Sequence, residues 1–97
     1  MKIIILPSAE NDLADGFEFY ENQEVGLGVY FIESLFSDID SLRLYRGIHR
    51  KVFGYHRLLS KRFPYAVYYS LEAETLFVQA VLDCRRDPQG TRKKLPG

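Results

Sequence analysis

The sequence is poor in the residues that build disulfides and metal sites. Among 97 residues there is one cysteine, Cys84, there are two histidines, and tryptophan is absent. A single cysteine excludes an intramolecular disulfide, which fits a reducing cytoplasm. One thiol and two scattered histidines also give no basis for a metal site. We therefore expect a cytoplasmic protein with no metal and no cofactor.

Long apolar runs are missing as well. The N-terminal run Ile3–Leu6 ends at Pro7, which is too short for the core of a signal peptide or for a membrane span. No internal repeat or low-complexity segment is present. We therefore expect one domain over residues 1–97 with no membrane partner, because a chain of about 100 residues is near the commonest domain size.

The net charge of the whole chain is zero, but its two halves carry opposite charges. Residues 1–48 carry three basic and nine acidic residues, a net charge of −6, whereas residues 49–97 carry ten basic and four acidic residues, a net charge of +6. This asymmetry favours a basic surface that meets an anionic or acidic partner. The alternative is that acidic helix faces simply balance a basic sheet edge within the fold.

The first half of the chain predicts a short strand and two helices. Ile3–Leu6 is a strand candidate, and Ser8 is placed to cap the helix that follows. Apolar residues then recur at helical spacing up to about Asn22, and again, beyond Gly26 and Gly28, up to about Leu44. The apolar positions are Ala9, Leu13, Phe17 and Tyr20 in the first helix, and Phe31, Ile32, Leu35, Phe36, Ile39 and Leu42 in the second.

The second half predicts a loop and three strands. The stretch 45–54 reads as a loop, and residues 55–62 alternate as a strand with basic groups on both faces. Pro64 falls between strands, where it is tolerated. Two further alternating segments, 65–71 and 76–82, lie either side of Ala73-Glu74 and form a β-hairpin. The alternation assigns Tyr65 and Tyr69 to the core, and places Leu76, Val78, Ala80 and Leu82 together on one face.

The order of these elements predicts an α+β domain. An N-terminal strand and a helical hairpin precede a mainly antiparallel three-stranded meander, which completes a four-stranded sheet with the hairpin packed on one face. The last strand ends at Arg85-Arg86-Asp87-Pro88, and residues 89–97 form a basic C-terminal tail.

Several short motifs, in this order and spacing, are similar to those of one protein family. They are Phe19-Tyr20-Glu21, Gly26-Leu27-Gly28, Arg62-Phe63-Pro64-Tyr65 and the run from Val81 to Pro88. The chain resembles the RelE/ParE superfamily of toxins from bacterial type II toxin–antitoxin modules, which includes plasmid stabilisation proteins. The resemblance covers nearly the whole chain and implies a RelE/ParE-like fold, growth arrest, and neutralisation by a cognate antitoxin.

The superfamily has two activities. One branch cleaves messenger RNA on the ribosome, and the ParE branch inhibits DNA gyrase. Cleavage needs cations for the phosphorane and groups that move protons, which the family supplies as Arg and Lys on the sheet and a Tyr or His near the C-terminus. Here no Tyr follows Tyr69 and no His follows His56. The resemblance therefore favours a gyrase inhibitor that is not an enzyme, with ribosome-dependent endoribonuclease as the alternative.

The resemblance also assigns candidate residues. In the ParE reading the target-binding residues are Arg85, Arg86, Arg92, Lys93 and Lys94, and the antitoxin-binding residues are Arg57, Lys61, Arg62 and Arg85. In the nuclease reading the catalytic cations are Arg57, Lys61 and Arg85, and the partners are the ribosome and messenger RNA. Neither reading involves a small-molecule substrate. Outside the family, the basic half of the chain is compatible with a small nucleic-acid-binding domain, which steep salt dependence would reveal.

Overall fold

A computed structural model describes residues 1–96, and Gly97, the last residue of the predicted tail, lies outside the described residues. The chain forms five strands and three helices. In chain order they are β1 (Lys2–Ile5), α1 (Pro7–Gln23), α2 (Leu27–Tyr45), β2 (Lys51–Val52), β3 (Tyr55–Leu59), β4 (Tyr65–Glu72), β5 (Thr75–Asp83) and α3 (Pro88–Lys94). No helix within residues 1–96 has the length and apolar character needed to cross a membrane.

The strands form one mixed sheet in the order β1-β5-β4-β3-β2. β1 lies at the edge and pairs parallel with β5, whereas every other neighbouring pair is antiparallel. The α+β class and the meander are confirmed. The strand count of four is wrong, because Lys51–Val52, inside the predicted loop, adds a fifth strand by pairing with Tyr55 and His56.

Two local predictions are corrected at the ends of elements. β3 ends at Leu59, short of Arg62, and the amide of Ser60 donates to the carbonyl of Tyr65 across the connection. Ser8 does not cap α1, since the helix begins at Pro7 and the Ser8 hydroxyl donates to the carbonyl of Gln79 in β5 at 3.0 Å. Proline is favoured at the first helical position because its missing N–H would have no partner there.

The helical hairpin is closed by Glu21. Its carboxylate accepts from the amides of Gly26 and Gly28, each at 2.9 Å, which satisfies donors that the start of α2 leaves free. Gly26 has a φ of 92°, a conformation that glycine adopts at little cost. The Gly-Leu-Gly motif thus fixes the angle at which α2 leaves α1.

The core lies between the hairpin and one face of the sheet. The predicted apolar helix positions are mostly buried, although Phe36 is 45% exposed. Tyr65 and Tyr69 are buried in this core, as predicted. The helix-facing core consists mainly of Ala9, Leu13, Tyr20, Phe31, Leu35, Ile39, Leu42, Phe63, Tyr65, Val67, Tyr69, Leu76, Val78 and Val81.

A β-bulge changes which residues of β5 face the helices. Tyr68 lies opposite Ala80 and Tyr69 opposite Val78, so Gln79 is an extra residue without a partner. An extra residue interrupts the period-2 alternation. The prediction that Ala80 and Leu82 share a face with Val78 is therefore wrong: Val81 joins Val78 in the core beneath the hairpin, and Ala80 and Leu82 lie on the opposite face.

Candidate functional site

The sheet face opposite the hairpin, here called the open face, holds a second and smaller apolar cluster. Ala66 and Tyr68 come from β4, and the bulge at Gln79 brings Ala80 and Leu82 of β5 beside them. Alanine at two central positions leaves space above the sheet. That space is filled by one residue from the C-terminus, Leu95, which is 8% exposed.

The C-terminal segment is ordered by several contacts, within itself and with the rest of the fold. Asp87 caps α3 by accepting from the amide of Gly90 at 2.9 Å, a stabilising arrangement at a helix start. The hydroxyl of Tyr55 donates to the carbonyl of Pro96 at 2.7 Å. The ammonium group of Lys94 lies 3.4 Å from a carboxylate oxygen of Asp12 in α1. The predicted tail is therefore a short helix that packs on the sheet.

Beside this segment the open face forms a cavity of about 200 Å³, here called the arginine cavity. The lining residues with polar side chains are Arg57, Tyr68, Cys84, Arg86 and Thr91, and the others are Val52, Phe53 and Pro88. The Nε of Arg57 donates to the Tyr68 hydroxyl at 3.2 Å, and its Nη2 lies 3.6 Å from the Cys84 sulfur. Two arginines and a tyrosine thus line one recess.

A second cavity, of about 190 Å³, lies on the other side of Arg86 and is acidic. Asp12, Asp15 and Asp83 line it together with Arg86 and Lys94. Burial raises the pKa of Asp12, although the amide of Val81 donates to it and Lys94 lies nearby. Arg86 therefore stands at the boundary between a basic recess and an acidic one.

Arg85 and Arg86 are adjacent in sequence but lie in different surroundings. Arg85 makes a two-point ion pair with Asp83, Nε to Oδ1 at 2.9 Å and Nη2 to Oδ2 at 2.6 Å. The pair raises the pKa of Arg85 and lowers that of the carboxyl group of Asp83. Arg85 also lies near Tyr20 and Tyr65, and burial raises the pKa of Tyr65 to about 12. Arg85 is thus committed to Asp83, and Arg86 alone of the two lines the arginine cavity.

The other sequence-predicted residues are spread over the surface. Lys61 and Arg62 are exposed in the connection between β3 and β4. Arg92 and Lys93 are exposed on α3, where Lys94 is drawn toward Asp12. Of the three cations in the nuclease reading, only Arg57 lines the arginine cavity, since neither Lys61 nor Arg85 does.

Sequence reasoning left Tyr68, which lines this recess, out of the candidate site residues. Its alternation with Val67 and Tyr69 places it on the face away from the helices, together with Ala66. That alternation was a usable signal, because Arg57 alternates onto the same face of β3 and lies directly opposite Tyr68 in the β3–β4 register.

The two histidines have structural roles on the other face. The Tyr69 hydroxyl accepts from the amide of Gly47 at 3.0 Å and lies 2.7 Å from Nδ1 of His49. His56 stacks on the Tyr69 ring, and its Nδ1 lies 2.7 Å from the carbonyl of His49. Burial and the proximity of His56 lower the pKa of His49. The cluster ties the α2–β2 connection to β3 and β4. Within residues 1–96 no three His, Cys, Asp or Glu side chains are grouped to hold a metal ion.

Comparisons with known proteins identify the fold. No protein-family model matches the sequence, and no curated protein matches it. A solved chain described as belonging to the chromosomal ParDE TA system from P. aeruginosa is similar in structure, with a TM-score of 0.72 and 16% sequence identity over 84% of this chain and 92% of that chain. The chain therefore shares its fold with this chain of a ParDE system.

Proposed function

We propose that this chain is the toxin of a type II toxin–antitoxin system, that it acts in the ParE manner by inhibiting DNA gyrase, and that a cognate antitoxin protein neutralises it. The observation that carries the proposal is the similarity, over most of both chains, to a chain of a ParDE toxin–antitoxin system. Because a fold can host unrelated activities, the choice of target is argued from the site.

The open face supports gyrase inhibition better than RNA cleavage. Leu95 and the Tyr55–Pro96 hydrogen bond hold the C-terminal segment over part of the open face, so that part is not free to bind a messenger RNA strand. The C-terminal segment, moreover, offers no Tyr or His as a proton carrier. Cations alone stabilise charge but do not move the protons that ribose-phosphate cleavage requires.

One observation favours the nuclease as a second candidate. Tyr68 places a phenol against the guanidinium of Arg57 inside the arginine cavity, with Arg86 on the cavity wall. A phenol can exchange a proton with a reacting oxygen while two guanidinium groups stabilise a phosphorane. In this reading Arg57, Tyr68 and Arg86 would act together, and the partners would be the ribosome and messenger RNA.

The proposed contact surfaces follow the basic residues. For gyrase we propose Arg86 and the exposed α3 residues Arg92 and Lys93, with Arg85 and Lys94 beside them, although these last two already have carboxylate partners. For the antitoxin we propose Arg57, Lys61, Arg62 and Arg85, where positive charge would speed association with an acidic segment.

The two candidates separate in parallel assays of gyrase supercoiling and of messenger RNA cleavage on programmed ribosomes. The variant Arg92→Gln/Lys93→Gln removes two exposed charges from α3 and should weaken gyrase inhibition by roughly tenfold or more. The charge-matched control, Arg50→Gln/Lys51→Gln, changes two exposed residues at the start of β2 and should leave inhibition unchanged. These substitutions are preferable to truncation at residue 89, which would remove the buried Thr91 and Leu95.

The result that contradicts the proposal is equally specific. A wild-type protein that leaves gyrase unaffected but cleaves ribosome-bound messenger RNA, with cleavage lost in both Arg57→Ala and Tyr68→Phe, would establish the nuclease instead.

A further inference from the structure

The arginine cavity has two guanidinium groups and no carboxylate among its lining residues. The ion pairs of residues 1–96 are Arg43–Asp40, Arg85–Asp83 and Lys94–Asp12, so neither Arg57 nor Arg86 is paired with an acid. The two acids nearest to Arg86 in the chain are engaged elsewhere: Asp83 binds Arg85, and Asp87 caps α3. Arg86 lies between this cavity and the acidic one, whereas Arg57 has no acid partner, so an anion bound in the arginine cavity would compensate a charge that the fold leaves unpaired.

Arg57 is oriented, and the aliphatic stem of Arg86 is supported, before any partner arrives. The Tyr68 hydroxyl and the Cys84 sulfur orient Arg57, and no Asp or Glu is among the residues that line the cavity. The aliphatic stem of Arg86 lies on Gly90, where an added methyl group would be 3.0 Å from its Cγ and 3.3 Å from its Cδ. An arginine that is already oriented, as Arg57 is, loses little side-chain entropy on binding an acceptor.

The surroundings of the cavity select a single anion over a nucleic-acid backbone. A strand that continued past Arg86 would enter the neighbouring cavity, which is lined by Asp12, Asp15 and Asp83. Those carboxylates repel successive phosphates, whereas one side-chain carboxylate ends at Arg86 and does not reach them. The planar fork of a guanidinium also matches a carboxylate with two parallel hydrogen bonds.

We propose that the arginine cavity is the receptor for one acidic side chain, Asp or Glu, of a partner protein, with Arg57 and Arg86 as the binding pair. The identification of the antitoxin as the partner that supplies this side chain rests on the proposed function. The preference of the cavity for a carboxylate does not.

The test uses the isolated protein and small probes. Signals of the arginine Nε–Hε groups are followed by NMR while sodium acetate, dimethyl phosphate or a single-stranded oligonucleotide is added at constant ionic strength. Arg43 and Arg85, which already have carboxylate partners, serve as internal references. We expect acetate to shift the Arg57 signal saturably and to leave the two reference signals in place.

Three variants sharpen the result. Arg86→Gln should weaken acetate binding by roughly tenfold, because one charge-assisted hydrogen-bonding partner is lost. Gly90→Ala keeps both arginines but displaces the stem of Arg86, and should also weaken binding. The control Arg50→Gln removes an exposed charge that does not line the cavity, and should change nothing; unchanged amide spectra establish that each variant is folded.

A shift of the Arg57 signal that does not saturate, or an affinity that Arg86→Gln leaves unchanged, would overturn the proposal. Saturation by dimethyl phosphate or the oligonucleotide at a lower concentration than by acetate would overturn it in favour of nucleic acid. This outcome is independent of the gyrase assay. If the protein binds acetate in this cavity but does not inhibit gyrase, the proposed receptor stands and only gyrase as the target is contradicted.

Discussion

A methyl group added at Gly16 tests whether the interface between α1 and α2 is packed as tightly as the structure shows. The Cβ of Gly16→Ala would lie 2.5 Å from Cζ and 2.6 Å from Cε2 of Phe31. Since carbon atoms normally approach no closer than about 3.5 Å, the ring would have to retreat by roughly 1 Å. Phe31 is fully buried and has Tyr20, Phe63 and Tyr65 around it, with ring centroids 4.9–5.2 Å away.

Two opposing effects decide whether Gly16→Ala raises or lowers the free energy of unfolding. Alanine in a helix interior is favoured over glycine by about 1 kcal/mol, whereas overpacking a well-filled core costs typically about 1–3 kcal/mol. Because three aromatic rings block the retreat of Phe31, we expect the cost to be at the upper end of that range. The free energy of unfolding should therefore fall by about 1–2 kcal/mol, as measured by urea denaturation followed by circular dichroism.

Two companion variants isolate the cause. Asn11→Ala, at an exposed position of α1, should be neutral or stabilise by a few tenths of a kcal/mol, about the size of a propensity effect. Adding Phe31→Leu to Gly16→Ala should cost less than Phe31→Leu costs by itself, because the smaller side chain makes room for the methyl group. If Gly16→Ala matches or exceeds the wild type in stability, the close contact with Phe31 is not present and this reasoning is refuted.

Two further predictions concern the core and the buried carboxylate. Leu35→Ala, at a fully buried position, should lower the free energy of unfolding by about 2–5 kcal/mol. Phe36→Ala, at the neighbouring position that is 45% exposed, should lower it by less than about 1 kcal/mol. Equal losses for the two variants in a urea melt would contradict the orientation of α2. Asp12→Asn keeps an oxygen for the Val81 amide and removes a buried charge. Because burial raises the pKa of Asp12, its contribution to wild-type stability is complete below the unfolded pKa of about 3.9 and is lost as the pH rises through the folded pKa. The Tm of Asp12→Asn should therefore match or exceed the wild-type Tm at pH 7, and any advantage of the variant should shrink as the pH falls toward 4. If its Tm at pH 7 is instead several degrees below that of the wild type, the ion pair with Lys94 outweighs the cost of burying the carboxylate.

The sequence by itself determined the elements whose pattern is local. The apolar residues of each helix, such as Leu13 in the first and Leu35 in the second, recur at the 3.6-residue period of that helix. The alternation around Tyr65 and Tyr69 lies within one strand. Each pattern could therefore be recognised without knowing which element packs against it. The hairpin at Ala73-Glu74 followed for the same reason, because strands joined by a two-residue connection pair with each other. The α+β class was then the arrangement that covers all of these apolar faces.

The tertiary structure alone decided which residues meet across the fold. Nothing local marks Gln79 as a bulge, yet that extra residue sends Val81 to the core and Ala80 to the open face, where Leu95 covers it. Nothing local separates Arg85 from Arg86 either. Arg85 is bound by Asp83, and Arg86 lines the same cavity as Arg57, which is distant in sequence. Periodicity reports the environment that a residue shares with its neighbours in the chain, whereas a site is assembled by strand register and helix docking, which depend on contacts between residues far apart in sequence.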